Sequence, residues 1–399
     1  MARIALCLPA LPSHAAVHGA LGRALAGRGH RVTFVGGQRL GPLAARECLT
    51  FHALPGAGAD LRGAGLARTL VATARDTALW VRSGPGALAA LAPDLVIADQ
   101  AEPGASLAAE AAGVRRATLA AALPMDRDEG IPPPFVEWPY LAGEAGRRRN
   151  RGGWRVTDAL LTLQRRVLRR GCRDHRLPLR ERIDEWIAPD LDLRQLVPGL
   201  DYPHPLPLGA APVGPIRDAG VPEPLELDDR PLVFASLGTL AGDRQRLLAS
   251  IVAATEGMGI QVALAHAGTL TEADVRALPP HVHAGALWPQ AAVLARAAVC
   301  ITHAGMNTAL DCVAARVPMV AVPLAFEQPA TAARLAHHGL AVVVPPRRAT
   351  PDRLRAALRD VLDGADRRAA LAVKSAELAA GGGTARAADR VEALIGAAP

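Results

Sequence analysis

The chain has 399 residues, 50% of them hydrophobic and 21% charged, a balance that suits two packed domains and excludes a disordered chain. Its formal charge is +7, yet aromatic residues make up only 3%; with so few platforms for stacking bases, nucleic acid is not an expected partner. Arg3 precedes an apolar stretch that mimics a signal peptide, but Pro9 and Pro12 interrupt it and no apolar run reaches the roughly 18 residues of a membrane-spanning helix.

In chain order, Ile4 to Leu8 reads as a strand, Ala15 to Gly27 as an amphipathic helix stopped near Gly29, and Arg31 to Val35 as the next strand. Asp94 to Ala98 is a further buried strand and Ala101 to Ala112 a helix, so the first half alternates as a parallel α/β sheet does. The arginines 147, 148, 149 and 151 read as a solvated loop, with anionic lipid heads as a second option. Eight prolines between Pro203 and Pro231 forbid a helix interior or central strand. They place an interdomain linker over 206–230, between a first domain of residues 1–205 and a second of 231–380.

The pattern then restarts with Leu232 to Ser236 as a strand, Asp243 to Met258 as a helix and Gln261 to Ala265 as a strand. Both domains are expected to be Rossmann-like, with ligands held in the cleft at the C-terminal strand ends. Beyond Thr350 the chain reads as helical except at Gly381-Gly382-Gly383, leaving a last helix over 384–399 that can cross back to the first domain. The five cysteines, odd in number and without CxxC spacing, indicate neither a disulfide framework nor a zinc site and fit a reduced, cytoplasmic setting.

Pro9-Ala10-Leu11-Pro12 stands where a dinucleotide fold has GxGxxG, and no GxxxxGK[ST] loop occurs, so dehydrogenase and kinase readings lose their support. Asp190-Leu191-Asp192 has the form of a metal-holding acidic pair but reads as structural. The segment from Thr302 to Asp311 runs from a strand (Ala298 to Ile301) through small residues into a helix. Its amides over Gly305 to Thr308 would suit a diphosphate, joined by His303 and the Thr308 hydroxyl; equally, Asn307 and Thr308 would suit plain helix capping. Asp311, a turn later, would face ribose hydroxyls. Ser236-Leu237-Gly238-Thr239 ends a strand and offers hydroxyls to the same cleft, or a plain turn.

His14, placed in the loop after the first strand, and Asp99, just past the Asp94 to Ala98 strand, would both face the cleft. Neutral histidine suits removal of a proton from an alcohol, and a carboxylate on its far nitrogen would fix the tautomer. His18 competes for the first role and reads as structural.

The stretch from Trp288 to Gln328 resembles the donor motif of family 1 glycosyltransferases. Pro289-Gln290 and Val293-Leu294 look like its opening, His303, Gly305, Asn307, Thr308 and Asp311 fall on diphosphate and ribose positions, and Pro323, Glu327 and Gln328 on the part that contacts sugar hydroxyls. Leu287 occupies the place of the family's uracil-stacking aromatic, with Trp288 one residue late, and Glu327 replaces the usual aspartate. Segments such as Asp99-Gln100-Ala101-Glu102-Pro103-Gly104, Gln195 to Asp201 and Pro323 to Pro329 are further similar to bacterial zeaxanthin glucosyltransferases.

This resemblance implies a GT-B fold, two Rossmann-like domains facing across a cleft, and an inverting transfer of glucose from UDP-glucose to a lipophilic hydroxylated acceptor, a carotenoid such as zeaxanthin. His14 would be the base, Asp99 its partner, and His303, Gly305 and Thr308 the receivers of leaving-group charge. No metal or cofactor beyond the UDP-sugar is implied, and so apolar an acceptor suits a cytoplasmic enzyme lying against the membrane. A macrolide, polyketide or sterol acceptor is the alternative, ahead of an epimerase or hydrolase with the same donor cleft and a non-catalytic UDP-sugar-binding protein.

Overall fold

A computed structural model describes residues 1–60, 65–218, 225, 227–238 and 244–397. Among these, seven strands form the first sheet: β1 (Arg3–Cys7), β2 (Arg31–Gly37), β3 (Thr50–Leu54), β4 (Leu95–Asp99), β5 (Arg116–Ala120), β6 (Asp192–Arg194) and β7 (Ala210–Pro212). All neighbours pair in parallel, in the order β3-β2-β1-β4-β5-β6-β7. The second sheet holds β8 (Leu232–Ser236), β9 (Gln261–Ala265), β10 (Val282–Gly285), β11 (Ala297–Thr302), β12 (Met319–Ala321) and β13 (Ala341–Val343), again parallel, in the order β10-β9-β8-β11-β12-β13. Both are doubly wound α/β sheets with their central strands buried over most of their length, as the sequence leads one to expect.

The first domain's helices are α1 (Pro12–Gly27), α2 (Gly41–Arg46), α3 (Leu66–Leu91), α4 (Pro103–Ala111), α5 (Gly143–Leu160) and α6 (Thr162–Asp174). The second domain adds α7 (Arg244–Thr255), α8 (Glu272–Arg276), α9 (Gln290–Arg296), α10 (Met306–Ala314), α11 (Gln328–His337), α12 (Pro351–Asp363) and α13 (Ala365–Ala380), and α14 (Gly383–Gly396) closes the chain.

Several boundaries differ from the sequence reading. α1 begins at Pro12 rather than Ala15, so His14 lies in the first helical turn and not in a loop. A proline there lacks only an amide that would be unpaired anyway, and its fixed φ favours the helix. Asp99 is the last residue of β4 rather than the residue beyond it. Ala210–Pro212, inside the expected linker, pairs with β6 as the sheet's edge, so the first domain extends past residue 205; proline is tolerated at such an edge. The arginines at 147–151 are on α5, not in a loop.

The last helix packs on the first domain. Ala387, Ala388, Val391 and Leu394 join the core of β1 and α1, while Arg28 bonds Asp389 and Glu392 and Arg115 bonds the carbonyls of Leu394 and Ala397. A second tie crosses near Asp201, whose Oδ1 accepts from Arg334 Nε on α11 at 2.6 Å. Arg334 also lies over the Tyr202 ring, 4.6 Å from its centroid.

Candidate functional site

His14 and Asp99 meet at the C-terminal edge of the first sheet. Parallel pairing of β1 with β4 puts the end of β4 beside the loop that feeds α1, and His14 Nδ1 lies 2.6 Å from Asp99 Oδ2. An ionised carboxylate can only accept, so the ring proton sits on Nδ1 and Nε2 is left as the basic nitrogen. The other carboxylate oxygen accepts from Ala101 N at 2.8 Å, which locks the Asp99 rotamer.

Burial alone would lower the pKa of His14. The charge and hydrogen bond of Asp99, with the charge of Glu327 across the cleft, outweigh burial and raise it. Burial likewise opposes ionisation of Asp99, yet His14 brings its pKa below the ordinary value. His18, one turn along, donates from Nδ1 to the His14 carbonyl at 3.1 Å, and burial lowers its pKa. It braces the helix turn that carries His14.

Opposite stands the N-terminus of α10. No side chain caps it, so capping by Asn307 or Thr308 is absent and the amides of its first turn point out without intrahelical acceptors. Ala304 enters the turn at φ 61° and Gly305 follows. A Cβ on Gly305 would come 2.4 Å from His303 Nε2, and one on Gly238 would come 2.7 Å from the same atom. The two glycines therefore leave room for one imidazole between the ends of β8 and β11. Burial drives the pKa of His303 down to about 4, against an opposing contact with the Ser236 backbone. At neutral pH it is an uncharged donor or acceptor. Thr239 lies outside the described residues.

The predicted ribose and diphosphate residues form one network. Gln290 Nε2 donates to Asp311 Oδ2 at 2.6 Å, and the Thr308 hydroxyl donates to Gln290 Oε1 at 3.3 Å. Asn307 Nδ2 reaches across the cleft to the Ser13 carbonyl at 3.0 Å, which brings the first turns of α1 and α10 together. Gln328 Oε1 accepts from Leu324 N and Ala325 N, both at 2.9 Å, and so holds the turn in which Phe326 takes φ 57°. Glu327 follows that turn at the start of α11, its pKa raised by burial against the charge of His14. Trp288 is tied by Nε1 to the Leu264 carbonyl at 3.2 Å and packs on the second core, whereas Leu287 is 73% exposed.

Residues 288–391 match the model of the glycosyltransferase family 28 C-terminal domain. Over 99% of this chain and 96% of its own length, the zeaxanthin glucosyltransferase of Pantoea ananas is 34% identical; that of Pseudescherichia vulneris is 36% identical over 99% and 98%. The chain belongs to the zeaxanthin glucosyltransferase family. Among solved structures, the kitacinnamycin glycotransferase covers 98% of both chains with a TM-score of 0.79 at 23% identity, and the calicheamicin glycosyltransferase CalG4 covers 99% of this chain and 98% of its own with 0.76 at 23%. These likenesses establish the GT-B fold.

Within this glycosyltransferase family frame, sequence reasoning missed Arg217 and Gln195 as parts of the site. Arg217 Nε donates to Asp311 Oδ1 at 3.0 Å, and the rest of its guanidinium bonds Gln195 Oε1 and the Asn307 carbonyl. Gln195 Nε2 in turn donates to Asn307 Oδ1 at 3.1 Å. The available signal was an arginine between Pro215 and Pro222 in the interdomain segment, which periodicity does not register. Asp192 of the acidic pair is buried on β6, accepting from Thr118, Gln100 and Arg194, so its lone pairs serve the sheet.

Proposed function

We propose that this glycosyltransferase moves glucose from UDP-glucose to a terminal ring hydroxyl of zeaxanthin with inversion at the anomeric carbon. The observation that carries the reading is the pairing of His14 with Asp99 directly across the cleft from an uncapped helix start. His14 Nε2 takes the hydroxyl proton as the acceptor oxygen attacks the anomeric carbon; the bond from that carbon to the β-phosphate oxygen breaks, and UDP leaves with its electrons. Asp99 stabilises the imidazolium that forms, and the first amides of α10, with neutral His303 and Thr308, receive the charge growing on the diphosphate.

Asp311 and Gln290 would hold the ribose, and Glu327 and the amide of Gln328 the sugar hydroxyls. Ser236 and Gly238 would border the diphosphate. Trp288, committed to the core, supports the edge of the uracil site, while exposed Leu287 is the side chain presented there. The names of the two bacterial relatives support the acceptor and the sugar; UDP as carrier follows from the donor-motif resemblance. The residues present fit a donor bound without a metal, because amide dipoles and neutral donors face the diphosphate position.

The deciding experiment incubates the protein with UDP-glucose and detergent-solubilised zeaxanthin and follows product mass. Gain of one or two hexosyl increments, with the β-anomer by NMR, is expected. No gain with zeaxanthin alongside efficient transfer to a macrolide or sterol would replace the acceptor and keep the donor half.

A further inference from the structure

We infer that the outer face of α3, α5 and α6 is a docking surface for an anionic phospholipid bilayer. These three helices carry thirteen arginines against four acids, one of which, Asp76, is buried. That excess is larger than the net charge of the whole chain, +7; Glu129 and Glu181 from neighbouring segments offset part of it by pairing with Arg151, Arg165 and Arg169.

The helices present their outer stripes together. Gln164 Nε2 donates to Thr77 Oγ1 at 3.0 Å, and His175 Nε2, just past the end of α6, meets the Val81 carbonyl at 2.9 Å, so α6 packs against α3. On α5 the exposed residues Arg148, Arg155, Val156 and Leu160 recur at helical spacing, and Leu163 and Arg166 continue the stripe onto α6. Val156 is 60% exposed, Leu163 43% and Leu160 41%. Arg148, Arg155 and Arg166 make no hydrogen bond or ion pair among the described residues, unlike Arg151, which is held by Glu129 and Glu144.

Unpaired guanidiniums interleaved with protruding aliphatic side chains match the chemistry of a lipid surface, in which phosphates lie just above hydrocarbon. A polyanion without an apolar layer would gain nothing from Val156 and Leu160. No helix among the described residues is long and apolar enough to cross a membrane, so the contact is one of docking. The segment after β5 ties α5 to the strand edge that carries Asp99: Met125 N donates to Gln100 Oε1 at 2.8 Å, and Arg127 Nη1 donates to Asp158 Oδ2 on α5 at 2.9 Å. A bilayer on this side can deliver a lipid-dissolved acceptor to the cleft; only this last consequence rests on the proposed acceptor.

Co-sedimentation of the full chain with vesicles tests the surface. The protein should bind phosphatidylcholine–phosphatidylglycerol vesicles at low salt and leave pure phosphatidylcholine vesicles in solution. Joint reversal of Arg148→Glu, Arg155→Glu and Arg166→Glu should cut partitioning by a factor on the order of 100 or more. Val156→Ser with Leu160→Ser should weaken it by about tenfold or more, from lost apolar contact. Both variants should retain UDP binding and transfer to acceptor in detergent micelles, which shows that they are folded. Equal binding to both vesicle types, or wild-type binding by the triple reversal, overturns the assignment. So does competition by duplex RNA that the Val156 and Leu160 changes leave untouched, for then the face is a polyanion site. Vesicle binding without any transfer in micelles would instead count against the proposed reaction.

Discussion

Arg217, in the strap between the domains, fixes the carboxylate of Asp311 from one side while Gln290 fixes it from the other. Each carboxylate oxygen then keeps one lone-pair direction for a ribose hydroxyl, already oriented before UDP arrives. Replacing the arginine by alanine removes this alignment and also the links to Gln195 and Asn307 that hold the two domains in register. Arg217→Ala should raise the Kd for UDP by about tenfold, the scale of one lost charged hydrogen bond. Arg217→Lys should recover only part, because a point charge cannot span the same three acceptors. Unchanged affinity by calorimetric titration of either variant would remove Arg217 from the donor site.

His14→Ala should lower transfer by about 10²- to 10⁴-fold, the usual range for a removed general base, with the UDP Kd unchanged because no donor contact is lost. Single-turnover transfer and UDP titration separate the two effects. Undiminished transfer would give the role to another group, of which buried His18 is the nearest.

The rate should depend on pH through the same residue. Burial works to lower the His14 pKa, but Asp99 and Glu327 outweigh it, so the folded value is above the ordinary imidazole value. A base acts only when deprotonated; kcat/KM should therefore rise with pH through an acid limb lying above about 6.5, the free histidine value. Stability runs the other way: the protonated pair stabilises the fold below the unfolded pKa, and this contribution is lost as pH climbs through the folded one. Asp99→Asn should move the limb downward and lower the rate at its plateau. A limb unmoved by that substitution would show that another group titrates.

Most of the fold was legible in the sequence because buried parallel strands are short apolar runs with sharp ends; Leu232–Ser236 and Gln261–Ala265 match residue for residue. The errors fall where local chemistry has two readings. The apolar pattern marks α1 only from Ala15, whereas proline suits a first helical turn and the helix begins at Pro12, which puts His14 on the helix instead of in a loop. Ala210–Pro212 was hidden among prolines, since an edge strand needs partners on one side only. The paired His14 and Asp99 were legible through their places at strand ends, but Arg217 was not, because nothing in the segment around residue 217 announces which side chain it will meet ninety residues later.

The last helix offers a stability test of how the two ends of the chain cooperate. Val391 is fully buried among β1 and α1 side chains although it is the ninth residue from the end. Val391→Ala removes two methyl groups from a packed site, and the loss of burial plus the cavity should cost about 2 kcal/mol. Glu392→Ala, which removes exposed partners of Arg28 and His30, should cost far less, because such pairs are screened by solvent. Urea unfolding should show the first change as a lower midpoint of the transition that involves the first domain. If the midpoint does not move, α14 docks on the first domain without supporting its core.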